Sequence, residues 1–303
     1  MGLTTTTASE SVSLTRKRTR GYYVREGVSR FLRYALLIVI GLVSSIPLVW
    51  MVSTSLKQKG REFLFPPEIL PIPVIWRNYI DVWPESNIHV YALNSVMVTG
   101  LATIGTLLTA SMVAFGFARM SFPGRGPLFA ILLSTLMLPY IVTLVPTFIL
   151  FRVLQWIDTP YPLIVPYWFG GGAFFVFLTR QFMMQLPTEL DEAALADGAS
   201  YWRIFWNIIL PLSGPALATM AIFSIVSHWN DFLNPLIFLL TEKWRTLALH
   251  LRFFFFQEGF GGFPRWNYLM ASSVVMLVPI LILFFSAQKY FVRGIALTGL
   301  TGR

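Results

Sequence analysis

The sequence predicts an all-α, polytopic membrane protein with six transmembrane helices. Of its 303 residues, 55% are hydrophobic and only 12% charged, and the mean hydropathy is +0.65. One soluble core of this length cannot hide so much apolar surface. Six apolar runs also reach the roughly 20 residues that cross about 30 Å of hydrocarbon: 34–54, 92–117, 128–150, 161–183, 213–239 and 268–288. Finally, the polar stretch between the fourth and fifth runs carries helix start and stop signals twice over, unlike a flexible connection.

Residues 1–33 precede the first span. They are rich in Thr and Ser and carry Arg16, Lys17, Arg18, Arg20, Arg25, Arg30 and Arg33, a composition expected to be largely disordered. No cleavage site follows a hydrophobic core, so the segment reads as a leader and not as a removable signal peptide. Attraction to anionic lipid explains this cluster and the net charge of +9, and without a folded basic domain nucleic acid is not a partner.

Span one holds Pro47 and span two a row of small residues, Gly100, Ala102, Gly105, Ala110, Ala114, Gly116 and Ala118, which marks a close helix-packing face. Pro139 and Pro146 in span three, like Pro279 in span six, read as kinks. Span four has the weakest pattern, because Pro162, Pro166 and Gly170–Gly172 interrupt it. Continuous apolar sequence from Ala173 to Leu178 favours a kinked span over a re-entrant loop.

Between spans four and five, Thr188 is placed to cap a helix, with Asp191 in the reciprocal position three residues on. Glu189, Asp191 and Glu192 complement the positive end of that helix, and Gly198 supplies the left-handed residue that ends it. Ser200 then caps a second short helix running through Ile208, which Pro211 and Gly214 are expected to break. Ala193, Ala194 and Ala196 keep the first helix thin enough for a partner backbone to approach, while Glu192 and Asp197 offer charges to its basic groups. The segment reads as a docking element.

Span five contains His228, Trp229, Asn230 and Asp231. An aspartate at the bilayer centre costs about 2.5–3.5 kcal/mol on insertion scales. Asn230 and Asp231 therefore either line a path for hydroxyl-rich substrate or tie the span to a neighbour. The connection 241–267 is aromatic for a solvated loop, with Trp244, Phe255, Gln257, Glu258, Arg265 and Trp266 among its residues. It reads as an interfacial belt or as a contact for an external protein.

Arg119 and Arg125 between spans two and three, the basic amino-terminal segment, and Lys289, Arg293 and Arg303 in the tail place both termini and the docking segment on the cytoplasmic side. Zero cysteines exclude disulfides and thiolate chemistry, and His89, His228 and His250 have no metal-ligand spacing. No Gly-rich loop ending in Gly-Lys-Ser or Gly-Lys-Thr is present to cradle ATP phosphates, so hydrolysis must be borrowed from another subunit. The chain is not expected to be an enzyme.

The spacing Glu192-Ala193-Ala194, three residues, Gly198, nine residues, Ile208, one residue, Leu210-Pro211 resembles the signature loop of permease subunits of ABC importers. Asn94-Ser95, Trp229-Asn230-Asp231 and the tail from Gln288 to Gly294 further resemble the maltose-type carbohydrate branch. The resemblance covers about residues 34–302. It implies two ATP-binding-cassette ATPases carrying ATP and Mg, a second and different permease subunit, and an extracytoplasmic solute-binding protein delivering a carbohydrate. It assigns Glu192, Ala193, Ala194, Asp197, Gly198, Ile208, Leu210 and Pro211 to ATPase docking, and Asn94 to the same path-or-packing class as Asn230 and Asp231. An importer of an amine, oxyanion or peptide is the alternative within the superfamily. A secondary transporter lacks support, since only span five offers a deep acid and no inverted repeat is visible.

Overall fold

In the computed structural model, residues 20–257 and 265–299 are described, with side chains over 26–253 and 265–288. Every regular element among them is helical. In chain order these are α1 (Arg20–Ser55), α2 (Asn78–Ser86), α3 (Ile88–Arg119), α4 (Arg125–Ser134), α5 (Tyr140–Val153), α6 (Tyr161–Ile164) and α7 (Ala173–Met183). They continue as α8 (Glu189–Ala196), α9 (Tyr201–Ile204), α10 (Leu210–Leu212), α11 (Gly214–Trp229), α12 (Leu233–Phe238), α13 (Leu247–Gln257) and α14 (Trp266–Gly299).

Among the described residues, the stretches long and apolar enough to cross a membrane are Glu26–Ser55, Ile88–Arg119, Tyr161–Met183 and Trp266–Gln288. Two further pairs qualify if each is one bent span: Arg125–Met137 with Tyr140–Val153, bent by 100°, and Tyr201–Leu212 with Gly214–Trp229, bent by 77°. The first helix begins at Arg20, well before residue 34, so part of the basic segment expected to be disordered is helical; residues 1–19 lie outside the described residues.

The described residues up to Trp50 form one unit and those from Met51 onward a second. In the second, α3 is the central element. Its Ala110, Ala114 and Phe115 pack with Val176 and Met183 of α7, Ile204 of α9, Phe205 and Ile209 just after it, and Met220 of α11. Nearer its other end, Val98 joins Phe151, Leu163, Ile164, Phe238, Leu239 and Leu249. The small-residue face does what its composition predicts at Gly105: a Cβ there would meet the Trp168 ring at 2.5 Å. Gly171, at φ +64°, lies against Thr106 and Ala110 of the same face. Gly100 and Gly116 have no such neighbour.

The fifth span differs from expectation. It does not run to residue 239: α11 ends at Trp229, and Asn230 to Phe232 separate it from α12. Pro235 has no N–H to return to the Asp231 carbonyl, so a continuous helix would leave that carbonyl unpaired. Asp231 instead accepts hydrogen bonds from the Asn234 backbone N–H at 3.2 Å and its side-chain amide at 2.7 Å. Asp231 therefore sits in a helix break and not midway along a span.

Candidate functional site

The segment from Thr188 to Pro211 folds as two short helices around a left-handed corner. Gly198 adopts φ +80°, donating its N–H to the Leu195 carbonyl at 3.0 Å, while the Ala199 N–H reaches the Ala194 carbonyl at 2.9 Å. These two bonds form a Schellman cap. Ser200 caps α9 as expected, its Oγ accepting the Arg203 N–H at 3.3 Å.

Two local expectations fail. Thr188 makes no side-chain cap bond, because its backbone is already in the right-handed helical region at φ −75° and ψ −22°, whereas a capping side chain needs extended geometry. Pro211 does not break the second helix. The chain takes a π turn over Phe205–Ile209, in which the Leu210 N–H reaches back to the Phe205 carbonyl. That shift of pairing accommodates a residue without an N–H, and the bend falls at Ser213 instead.

The side chains divide sharply by exposure. Glu192, Ala193, Asp197, Gly198 and Pro211 are exposed; Ala194, Ile208 and Leu210 are half-buried against the core of α3, α7 and α11. Leu190 and Leu195 are also exposed, at 38% and 39%, and Tyr201, Trp202 and Trp206 lie open on the adjoining helix. Conversely, the buried residue of α8 is an acid, Asp191. The helix thus turns leucines outward and a carboxylate inward.

Asp191 is turned inward by Arg119, the last residue of α3. Arg119 Nη1 lies 3.3 Å from Asp191 Oδ2, with side-chain exposures of 3% and 13%. Its Nη2 donates to the Met183 and Leu186 carbonyls at 2.8 and 2.7 Å, at and just beyond the end of α7. Burial pushes the Asp191 carboxyl above its ordinary range, with Arg119 opposing that shift and Glu192 adding to it. Sequence reasoning placed Arg119 in a charge tally and Asp191 in a capping box, and missed the pair. Their separation of 72 positions gave no signal; only an acid on the inner face of a short helix asks for a cation.

The other candidate residues do not gather with this segment. Asn94 donates from its side-chain amide to the Lys243 and Arg245 carbonyls, both at 3.0 Å, and Ser95 Oγ accepts the N–H of Leu247, the first residue of α13, at 2.8 Å. The Asn94 amide thus ties α3 to the 243–245 segment. Asn230 Nδ2 donates to the Val226 carbonyl of its own helix at 2.9 Å, and the Tyr140 hydroxyl donates to Asn234 Oδ1, joining the break after Leu138 to the break at Asp231.

Of the aromatic connection, Trp244 is half-buried against the cluster around Phe151 and Phe238. Arg265 pairs with Glu85, and Trp266 packs edge-on against Phe63 with ring centroids 5.1 Å apart. Phe255 and Gln257 lie in α13 with side chains outside the described residues, and Glu258 lies outside them altogether.

The sequence family of binding-protein-dependent transport system inner membrane components matches residues 106–297, more than half of the chain and including the whole 188–211 segment. The chain belongs to that family. This permease is 35% identical over 251 residues to the arabinooligosaccharides transport system permease protein AraQ of Halalkalibacterium halodurans, covering 82% of this chain and 86% of that one. It is 33% identical over 260 residues to the diacetylchitobiose uptake system permease protein NgcG of Streptomyces coelicolor, covering 84% of each. Its fold matches, at TM-score 0.79 and 21% identity over 90% of this chain and 99% of the other, a chain from the crystal structure of a bacterial ABC transporter involved in import of the acidic polysaccharide alginate. The permease is a membrane transport subunit and not an enzyme.

Proposed function

We propose that this permease imports a carbohydrate through six spans, each bent pair counting as one, and that its 188–211 segment docks an ATP-binding-cassette ATPase on the cytoplasmic side. The observation that carries the docking reading is the inverted polarity of α8. Leu190 and Leu195 face outward beside exposed Trp202 and Trp206, an arrangement that favours a covering partner. Glu192 and Asp197 stand beside them and form no ion pair with any described residue. A basic rim around an apolar groove on the ATPase is the complement.

ATP and Mg bind on two such ATPases. Their closure on ATP carries α8 and levers the spans on either side of it, opening the path outward, and hydrolysis reverses the motion. A second, different permease completes the path, with both termini of this chain cytoplasmic in the plasma or inner membrane. The carbohydrate class rests on the relatives' substrates, arabinooligosaccharides and diacetylchitobiose, and the cargo arrives on an extracytoplasmic solute-binding protein at the 241–267 connection. Scrambling residues 188–211 is expected to abolish copurification of the ATPase with detergent-solubilised permease while leaving membrane insertion intact. Retention of the ATPase by the scrambled chain overturns the docking assignment.

A further inference from the structure

The span with no proline and no break is α3. Each other candidate span contains one or both: Pro47 in α1, Pro146 in α5 with the bend before it, Pro162 and Pro166 in the fourth, Pro211 and Pro215 in the fifth, Pro279 in α14. An uninterrupted helical hydrogen-bond ladder resists bending where proline and broken helices do not. Stiffness along α3 matters because each end is tied to a different segment by polar bonds.

At one end, Arg119 holds the inner face of α8 through Asp191 and the end of α7 through two carbonyls. At the other, Asn94 and Ser95 hold the 243–247 segment through three hydrogen bonds: two from the Asn94 amide and one from the Leu247 N–H to the Ser95 hydroxyl. From Asn94 to Arg119 is about 38 Å along the axis at about 1.5 Å per residue. The rod crosses both core clusters, through Val98 in one and Ala110 and Ala114 in the other.

We propose that α3 is a strut that couples the external 243–247 segment to α8, with Arg119 and Asn94–Ser95 as its positioning residues. A shift of the external segment on binding-protein contact pushes or pulls on Asn94 and Ser95, and the rod delivers it to Asp191 and so to the ATPase-facing helix. The strut rests on the docking reading of α8. It adds that the signal passes through span two, which flanks neither side of the docking segment in sequence.

The test is a double-mutant cycle on the complete transporter in proteoliposomes, reading how many-fold the loaded binding protein stimulates ATP hydrolysis. Asn94→Ala removes the external clamp, and Asp191→Asn removes the charge at the other end while keeping the side chain's shape. Each single variant is expected to lower stimulation about fivefold or more, the lower end of ordinary coupling between sites. The double variant is expected to lose no more than the worse single one, because a strut released at one end has nothing left to transmit. Arg119→Lys keeps the cation but not the fork of donors, and is expected to fall between wild type and Asp191→Asn.

Losses that multiply in the double variant, or stimulation unchanged in either single variant, overturn the strut while assembly persists. Absence of ATPase from the wild-type complex overturns the docking reading and the strut with it. Copurified ATPase, measured in every variant, separates these outcomes and shows that a loss is not misfolding.

Discussion

Gly198→Val tests the corner of the docking segment with a cost that can be worked from its geometry. The glycine sits at φ +80°, and a Cβ added there meets nothing within 4 Å. The penalty is therefore one of backbone conformation, about 1–2 kcal/mol for an L-residue forced into the left-handed region, with a β-branched side chain at the upper end. A chain that escapes it by leaving the left-handed region loses the Gly198-to-Leu195 and Ala199-to-Ala194 bonds, about 1 kcal/mol net each. Since about 1.4 kcal/mol is tenfold, the ratio of capped to uncapped corner falls about tenfold. Transport in proteoliposomes should fall, with ATP hydrolysis less tightly tied to uptake and membrane insertion unchanged. Asn tolerates the left-handed region, so Gly198→Asn should keep most of the transport, and Gly198→Ala should lie between. Full coupled transport by Gly198→Val refutes the reasoning. An Asn variant as damaged as the Val variant refutes the backbone origin of the effect and points to a partner surface pressed against the glycine.

Arg119→Met leaves Asp191 without its counter-charge and removes the side-chain donor from the Met183 and Leu186 carbonyls; it should destabilise the chain by about 3–5 kcal/mol, read as a lower midpoint of thermal unfolding in detergent. Gly105→Ala drives a methyl into the Trp168 ring and should cost about 1–3 kcal/mol, whereas Gly100→Ala, with open space around it, should be neutral or stabilising by about 0.4–1 kcal/mol; equal midpoints for the two variants contradict the packing described. For Asp158, burial alone would raise the carboxyl, but hydrogen bonds from the Thr241 N–H and hydroxyl and the Leu240 N–H, together with Lys243, hold it below the ordinary value of 3.8. A depressed folded pKa gives stability that is present above the unfolded value and lost as pH falls through the folded one. Asp158→Asn should therefore lower the thermal midpoint at neutral pH and flatten its decline below about pH 4, in midpoints followed from pH 7 to 3.

Much of this structure was legible because the signals were local or compositional. Apolar run length located the four helices long and apolar enough to cross a membrane, and Gly198 and Ser200 announced their roles because a left-handed corner and an N-cap are decided within a few residues. The failures have equally physical origins. The end of the fifth span was misplaced because hydropathy does not see Pro235 denying a donor to Asp231. Pro211 was read as a breaker because proline normally is one, and a π turn that rearranges the pairing around it leaves no mark in apolar periodicity. For Asn94 the choice between path and packing stays open in the sequence, and Ser95 is only part of a motif there, since their hydrogen-bond partners lie about 150 positions away at residues 243–247. The Arg119–Asp191 pair was invisible for the same reason, although it decides which face of α8 is left outward.

The absence of native cysteine allows a direct measurement of the central claim, that α8 docks an ATPase. Ala193 is exposed on the same helix as Glu192, so Ala193→Cys gives a single thiol for a short photoactivatable crosslinker in membranes holding the complete transporter. A crosslink to the ATPase subunit whose yield changes with ATP is expected, and none from a thiol placed by Thr241→Cys on the face proposed to be external. A product confined to the solute-binding protein or lipid, or equal labelling of the ATPase from both positions, contradicts it.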